Sequence, residues 1–301
     1  MAFERFLEET SINELQKTPL FKKYLRNDCL NGSVFPAIRR NRVDFYYKGG
    51  KLFSWEAGDR KGFRTHHKYA SVLCGQQGDY IKEGDLLEDR LRRITDFCEG
   101  YKRIKENCAL YSGLEATGVA NLYHGFSWVS NNTHDVGVLD IEIVFTNEDI
   151  EDDVIKNGIR TKRTNRIDFI TMDKMGTLLF FEAKHYSNRD SLRAKGVPKL
   201  YYQLAGYDND IKTFNHEIRV AYTNYVNAMN KLFDLDIPIP KNIDPVVRAI
   251  IFGFDNEQKQ YLDQKILIPE NMLKDRTYTI GGIKKAKLTT IFQGGRQHWN
   301  D

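Results

Sequence analysis

Two apolar runs in the second half of the chain alternate like strands and are interrupted by charge. The first runs from Arg166 to Thr171, with Asp168 set between Ile167 and Phe169. The second runs from Leu178 to Lys184, with Glu182 and Lys184 closing a run of Leu178, Leu179, Phe180 and Phe181. Between them, Asp173 to Gly176 has the composition of a turn, and Gly176 can take a positive φ. A loop over 174–176 predicts an antiparallel hairpin with Asp168 directly opposite Glu182, the Cβ atoms roughly 5 Å apart. Side chains alternate along a strand, so Glu182 and Lys184 share a face while Ala183 points away. A slip of one residue would scatter the three charges, so the pairing is a specific expectation.

The same patterning predicts the other elements. Residues 3–26 carry a loose apolar stripe through Phe6, Leu7, Ile12, Leu15, Leu20, Phe21 and Leu25, and read as helical. The stretches 42–47 and 51–55 flank Gly49 and Gly50, a hairpin signal. A further strand is expected over 62–69, with His66 and His67 on opposite faces and so unsuited to share a metal. Asp85 is placed to cap a helix over about 86–110. Strands are expected at 126–130, 138–145 and 246–255, and one helix from Pro198 to about Leu232. Residues 148–156 read as an acidic exposed turn, 278–287 as a lysine-bearing hairpin, and 294–301 as a tail. The whole reads as a mixed α/β fold, a central mixed sheet flanked by helices. An N-terminal helix plus β-rich region over 1–84 precedes a second region over 85–301, with its core at about 138–255.

Charges inside buried strands are costly unless paired or bound to a metal. Two carboxylates supply hard oxygen ligands of the kind Mg²⁺ takes, with Mn²⁺ as substitute. A lysine beside them can position water or stabilise charge building on phosphorus. The competing explanation is a cross-strand ion pair, since E-x-K occurs widely by chance. Agreement of turn, flanks and register favours the metal site.

This arrangement resembles the PD-(D/E)xK nuclease superfamily, with its restriction-endonuclease-like fold, over roughly residues 138–255. The resemblance makes Asp168 and Glu182 metal ligands and Lys184 the catalytic lysine, with the backbone carbonyl of Ala183 facing the metal. Gln203 and Tyr207 match the Q-x-x-x-Y motif of the RecB-like branch, one turn apart on a helix. The superfamily often adds an acid upstream, for which Glu88, Glu99, Asp140 and Glu142 are all open. An iron–sulfur cluster is not expected, because Cys29, Cys74, Cys98 and Cys108 precede the motif with no C-x-x-C pair. The resemblance implies a phosphodiester hydrolase acting on nucleic acid, most naturally a DNA endonuclease in restriction, phage defence or mobile-element biology. The alternative is a nucleic-acid-binding module on the same fold without catalysis.

Composition adds modest limits. A chain of 301 residues can bury a large core, and its net charge of +4 permits nucleic-acid binding without demanding it. No apolar stretch approaches a membrane span and the start lacks a signal-peptide pattern, so a cytoplasmic location is expected. Sparse cysteines fit a reducing compartment. Basic residues after E-x-K (His185, Arg189, Arg193, Lys195 and Lys199) lie where a loop could hold a nucleic-acid backbone. Arg40, Arg42 and Lys68, with neighbouring basic residues, are interleaved with Tyr46, Tyr47, Phe53 and Trp55. That pattern suits phosphate contact and base stacking, and equally a solvated face over an aromatic core. A homodimer or partner protein is compatible with the sequence. The chain has no nucleophile elbow, zinc-protease motif or P-loop.

Overall fold

Alternating apolar residues and a Gly49–Gly50 turn build the first sheet. In the computed structural model, which describes residues 3–58, 62–71, 93–130, 135–145, 166–193, 196–271 and 273–281, this is a four-stranded antiparallel meander. Its strands are β1 (Phe35–Arg39), β2 (Arg42–Tyr47), β3 (Gly50–Glu56) and β4 (Gly62–Arg64). Before it come α1 (Glu9–Lys17), a π-helical segment Phe21–Leu25, and α2 (Arg26–Leu30). The helical expectation for 3–26 therefore holds only from Glu9, and Phe6 pairs instead with Arg40 in an isolated bridge. The 62–69 strand stops at Arg64. His66 and His67 follow it with ring centroids 4.3 Å apart, not on opposite faces.

Two helices lead to the second sheet, α3 (Tyr101–Leu110) and α4 (Leu114–Tyr123). Of the helix expected over 86–110, residues 93–100 are not helical and Tyr101–Leu110 are, while 86–92 lie outside the described residues. The Asp96 carboxylate accepts the amides of Cys98 and Glu99, a local turn that competes with helix. Residues 126–130 form no strand; Ser127 makes a single bridge to Val138 and a turn follows.

The second sheet contains β5 (Val136–Val144), β6 (Arg166–Asp173), β7 (Thr177–His185), β8 (Asn242–Ile243), β9 (Arg248–Phe252) and β10 (Thr277–Ile280). Its order is β10-β9-β7-β6-β5, with β8 beside β7. The ladders around β6 are antiparallel, and those joining β7 to β9 and β9 to β10 are parallel. This is the mixed α/β architecture expected from sequence. Tyr278 accordingly lies in a strand parallel to β9. The hairpin register is also as expected: Phe169 faces Phe181 and Met172 faces Leu178. Gly176 closes the turn at φ +85°.

After β7 come α5 (Arg189–Leu192), α6 (Lys199–Thr213), α7 (Asn215–Phe233) and α8 (Asn256–Tyr261). The single helix expected from Pro198 is thus two, broken at Phe214, whose φ of −105° and ψ of 21° leave the helical region. α6 and α7 present Leu204, Tyr207, Ile211, Tyr222, Tyr225 and Met229 to the core. One apolar cluster runs from Phe3 to Leu273 and includes both sheets. A smaller one, on the other face of β6 and β7, joins Phe169, Phe181 and Ala183 to Val119 and Ala120 of α4. No described helix is long and apolar enough to cross a membrane. The boundary placed at 84/85, Glu88, Cys74, Lys195, the 148–156 stretch and the chain beyond 281 lie outside the described residues.

Candidate active site

The β6–β7 ladder ends at Phe169 and Phe181, one step short of Asp168 and Glu182. Beyond it a side chain takes over the backbone's role: the Ala183 N–H donates to Asp168 Oδ2 at 2.7 Å. Ala183 thus joins the cluster through its N–H.

Glu182 is buried, 1% exposed. Its Oε1 accepts the Lys184 ammonium and the Gln203 side-chain amide, the latter at 2.7 Å. Its Oε2 is buried with no hydrogen-bond partner among the described residues. An unsatisfied buried carboxylate oxygen costs free energy and calls for an explanation such as an ion. Burial, with Asp168 adding repulsion, pushes the Glu182 carboxyl up to about 8 although Lys184 opposes the shift. Burial likewise raises Asp168, against the pull of Lys184 and the Ala183 N–H. Burial works to lower Lys184, but Glu182 and Asp168 outweigh it and leave the ammonium above its ordinary value. The three charges therefore form one electrostatically coupled cluster, as the register requires.

Gln203 and Tyr207 join this cluster from α6. The Gln203 amide also donates to the Tyr207 hydroxyl at 2.8 Å, and that hydroxyl donates to the Arg166 carbonyl at 2.6 Å. The i, i+4 pair thus ties Glu182 on one strand to the backbone of the next. Tyr207 is fully buried, and burial with the nearby Glu182 charge holds its phenol protonated.

The upstream acids separate by position. Glu99 sits on the surface, 4.0 Å from Lys23, away from the cluster. Asp140 is fully buried and committed elsewhere, accepting from Arg39 Nη1 at 2.9 Å, Arg5 Nε at 3.4 Å and the Tyr222 hydroxyl at 2.9 Å. Glu142 lies near the site, paired with Arg166 at 2.6 Å. The acid that sequence reasoning missed is Glu115 on α4. It shares a cleft lining with Asp168, and its charge acts on Asp168, Glu182 and Lys184. Small residues bring α4 close: Gly49 lies against Ala116 and Gly118 against Phe252, leaving no room for a Cβ at either glycine. Ala116 and Gly118, which follow Glu115 on α4, were the available signal.

The basic residues have mixed fates. Arg40 pairs with Glu4 at 2.9 Å and Arg42 with Asp44 at 3.1 Å. Phe53 and Trp55 are buried in the core rather than displayed for stacking. The Lys68 ammonium lies 5.1 Å from the ring centres of both Tyr69 and Tyr111. Past E-x-K, His185 contacts Ser187 at 2.7 Å, and Arg193 stacks on Tyr186 and donates to its carbonyl at 2.8 Å. Arg189 and Lys199 are exposed.

Among the described residues, no three acid, histidine or cysteine side chains converge as a complete metal cage. Two carboxylates with an orphaned oxygen instead fit a hard cation that keeps much of its water shell. No protein-family model, curated protein or solved structure matches the chain.

Proposed function

We propose that the protein is a metal-dependent phosphodiesterase acting on nucleic acid, with DNA as the favoured substrate. The observation that carries this reading is the partnerless Glu182 Oε2, buried beside Asp168 and Lys184. Asp168 and Glu182 would hold Mg²⁺, or Mn²⁺ in its place. A bound Mg²⁺ supplies positive charge that neutralises phosphate oxygens and acidifies a nearby water. Lys184 places a second, fixed positive charge where negative charge would build on the phosphoryl group. Gln203 holds Glu182 by Oε1, so that Oε2 is the atom left for the cation.

Purified protein is expected to cut DNA in Mg²⁺ or Mn²⁺ and not in EDTA. Lys184→Ala is expected to lower the rate by about 10²–10³, the usual cost of losing one charge-stabilising group. Wild-type cutting by a folded Lys184→Ala protein rules the mechanism out. The rival is a nucleic-acid-binding module without catalysis, favoured by the lack of a three-carboxylate cage among the described residues. Calorimetry with Mg²⁺ or Mn²⁺ separates the two, since the rival predicts no divalent-cation site in the folded protein.

A further inference from the structure

A cleft of about 340 Å³ opens beside Asp168. Its walls include Tyr46 from β2, Gly113 and Glu115 from the start of α4, and Glu142 and Arg166 from adjoining ends of β5 and β6. Arg166 is the sole cationic side chain among these described lining residues. It is held at both ends. Its carbonyl accepts the Tyr207 hydroxyl at 2.6 Å, and its Nη1 lies 2.6 Å from Glu142 Oε2. Glu142 itself sits at φ +56° within a strand. A non-glycine residue keeps that conformation only where its surroundings impose it, and such strain gathers at functional sites. The Arg166 side chain nevertheless keeps 43% of its surface exposed, so it is held in the cleft wall and not sealed in.

A guanidinium fork suits phosphate because its planar donors match the anion's oxygens. The carboxylates nearby do not forbid an anion. Glu142 is paired with Arg166, Glu115 accepts the Asn188 side-chain amide at 3.2 Å, and Asp168 faces Lys184 and the expected cation. Ligand pockets run from roughly 300 to 1,000 Å³, so this cleft is at the small end of the range. It admits one nucleotide and not the width of a duplex.

We propose that the cleft seats one nucleotide of a nucleic-acid strand beside the scissile bond, with Arg166 as its phosphate contact. The inference rests on the nuclease reading of Asp168, Glu182 and Lys184. A single strand or strand end reaches such a site at less cost than the interior of a duplex, which must first unpair and unstack.

The test uses the full chain and a labelled single-stranded oligonucleotide. Binding is followed by fluorescence anisotropy in Mg²⁺ with the Lys184→Ala change present, and cutting is followed without it. Arg166→Ala is expected to weaken binding about tenfold, as for a lost hydrogen bond to a charged group. It should also flatten the salt dependence by about one phosphate contact, an effect a merely structural arginine would not produce. Gly113→Phe is the second variant. A Cβ there meets nothing within 4 Å and φ is an ordinary −70°, so the ring fills the cleft without straining the chain. It should weaken binding by a similar factor, and a duplex of the same sequence should compete less well than the single strand.

If both variants bind and cut as the parent does, the inference is overturned while Lys184-dependent cutting preserves the nuclease assignment. If the parent binds without cutting, the nuclease assignment fails, and the two variants decide the cleft by binding alone. If the parent does neither, both fall.

Discussion

Glu182 carries two hydrogen-bond donors on one oxygen and none on the other. This asymmetry has a pH signature. The carboxyl titrates at about 8 in the fold against 4.5 ordinarily, so the folded chain holds the proton more tightly than the unfolded chain. Its contribution to stability is then fully present below about 4.5 and is lost as pH rises through about 8. Asp168, also raised by burial, acts in the same direction. Lys184 is raised above its usual 10.5, so its contribution persists across this window. The metal-free protein should therefore lose melting temperature as pH climbs from about 5 to about 8.5. Mg²⁺ competes with the same protons, so its stabilising effect should grow over that interval. Melting curves in EDTA and in excess Mg²⁺ at both ends of the range test this. A Mg²⁺ effect that ignores pH removes Glu182 from the cation site. Asp168, Glu182 and Lys184 were legible in the sequence because charge interrupts apolar runs there. Glu115 was not, because no charge breaks an apolar run there and the small residues Ala116 and Gly118 signal only close packing; it is that packing of α4 on neighbouring backbone and rings that brings Glu115 to the cluster.

The β6–β7 hairpin aligns the site, and its turn depends on one glycine. Gly176 has φ +85°, and a Cβ there would lie 2.6 Å from the Ile239 carbonyl oxygen. Gly176→Ala is expected to cost about 1–3 kcal/mol of folding stability, through strain at a positive φ. Urea unfolding measures it, and a shift near zero means the turn relaxes freely. The turn lies at the far end of the hairpin from Asp168, so the folded fraction should keep its activity. On α6, Gln203→Ala should lower metal affinity or rate by about 10–100-fold, the usual range for a residue that orients a ligand. Titration calorimetry and cutting rates read the two separately, and parental values in both would leave the Q-x-x-x-Y pair without a role at Glu182. The hairpin register could be read from sequence because turn chemistry and alternation are local signals. The break between α6 and α7 at Phe214 could not, since the apolar stripe continues across it and Phe214 packs on the core from outside helical geometry. The non-helical stretch 93–100 before α3 likewise follows from one Asp96 carboxylate capturing two amides, a choice that the spacing of Ile94, Phe97 and Tyr101 does not reveal.

At the scale of the whole molecule, the N-terminal elements are built into the core of the second sheet. Phe21 packs on both Phe45 and Phe233, with ring centroids 6.3 and 5.8 Å apart. Gln16 donates to the Lys231 and Leu232 carbonyls, and Arg26 to that of Phe233, so residues before the first sheet satisfy the last turn of α7. The Tyr225 hydroxyl donates to the Pro36 carbonyl. At the centre of this junction is Asp140. It pairs with Arg5 and Arg39 from the N-terminal part and accepts Tyr222 from α7, all four side chains buried. Asp140 was an open choice for the catalytic acid, and its burial among arginines instead gives it a structural role. Removing the acid leaves two buried guanidinium groups without that countercharge, which typically costs about 3–5 kcal/mol. Asp140→Ala should therefore lower stability by about that amount. Because one apolar cluster runs from Phe3 to Leu273, the loss should appear as a single shifted transition. Trp55 reports from the first sheet, and Trp128, whose indole N–H donates to the Met172 carbonyl, reports from the second. Fluorescence of single-tryptophan variants retaining one or the other should move in step with circular dichroism, in the parent and in Asp140→Ala. Separate melting of the Trp55 signal would show that the first sheet folds as its own unit, and that the buried arginines do not bind it to the site.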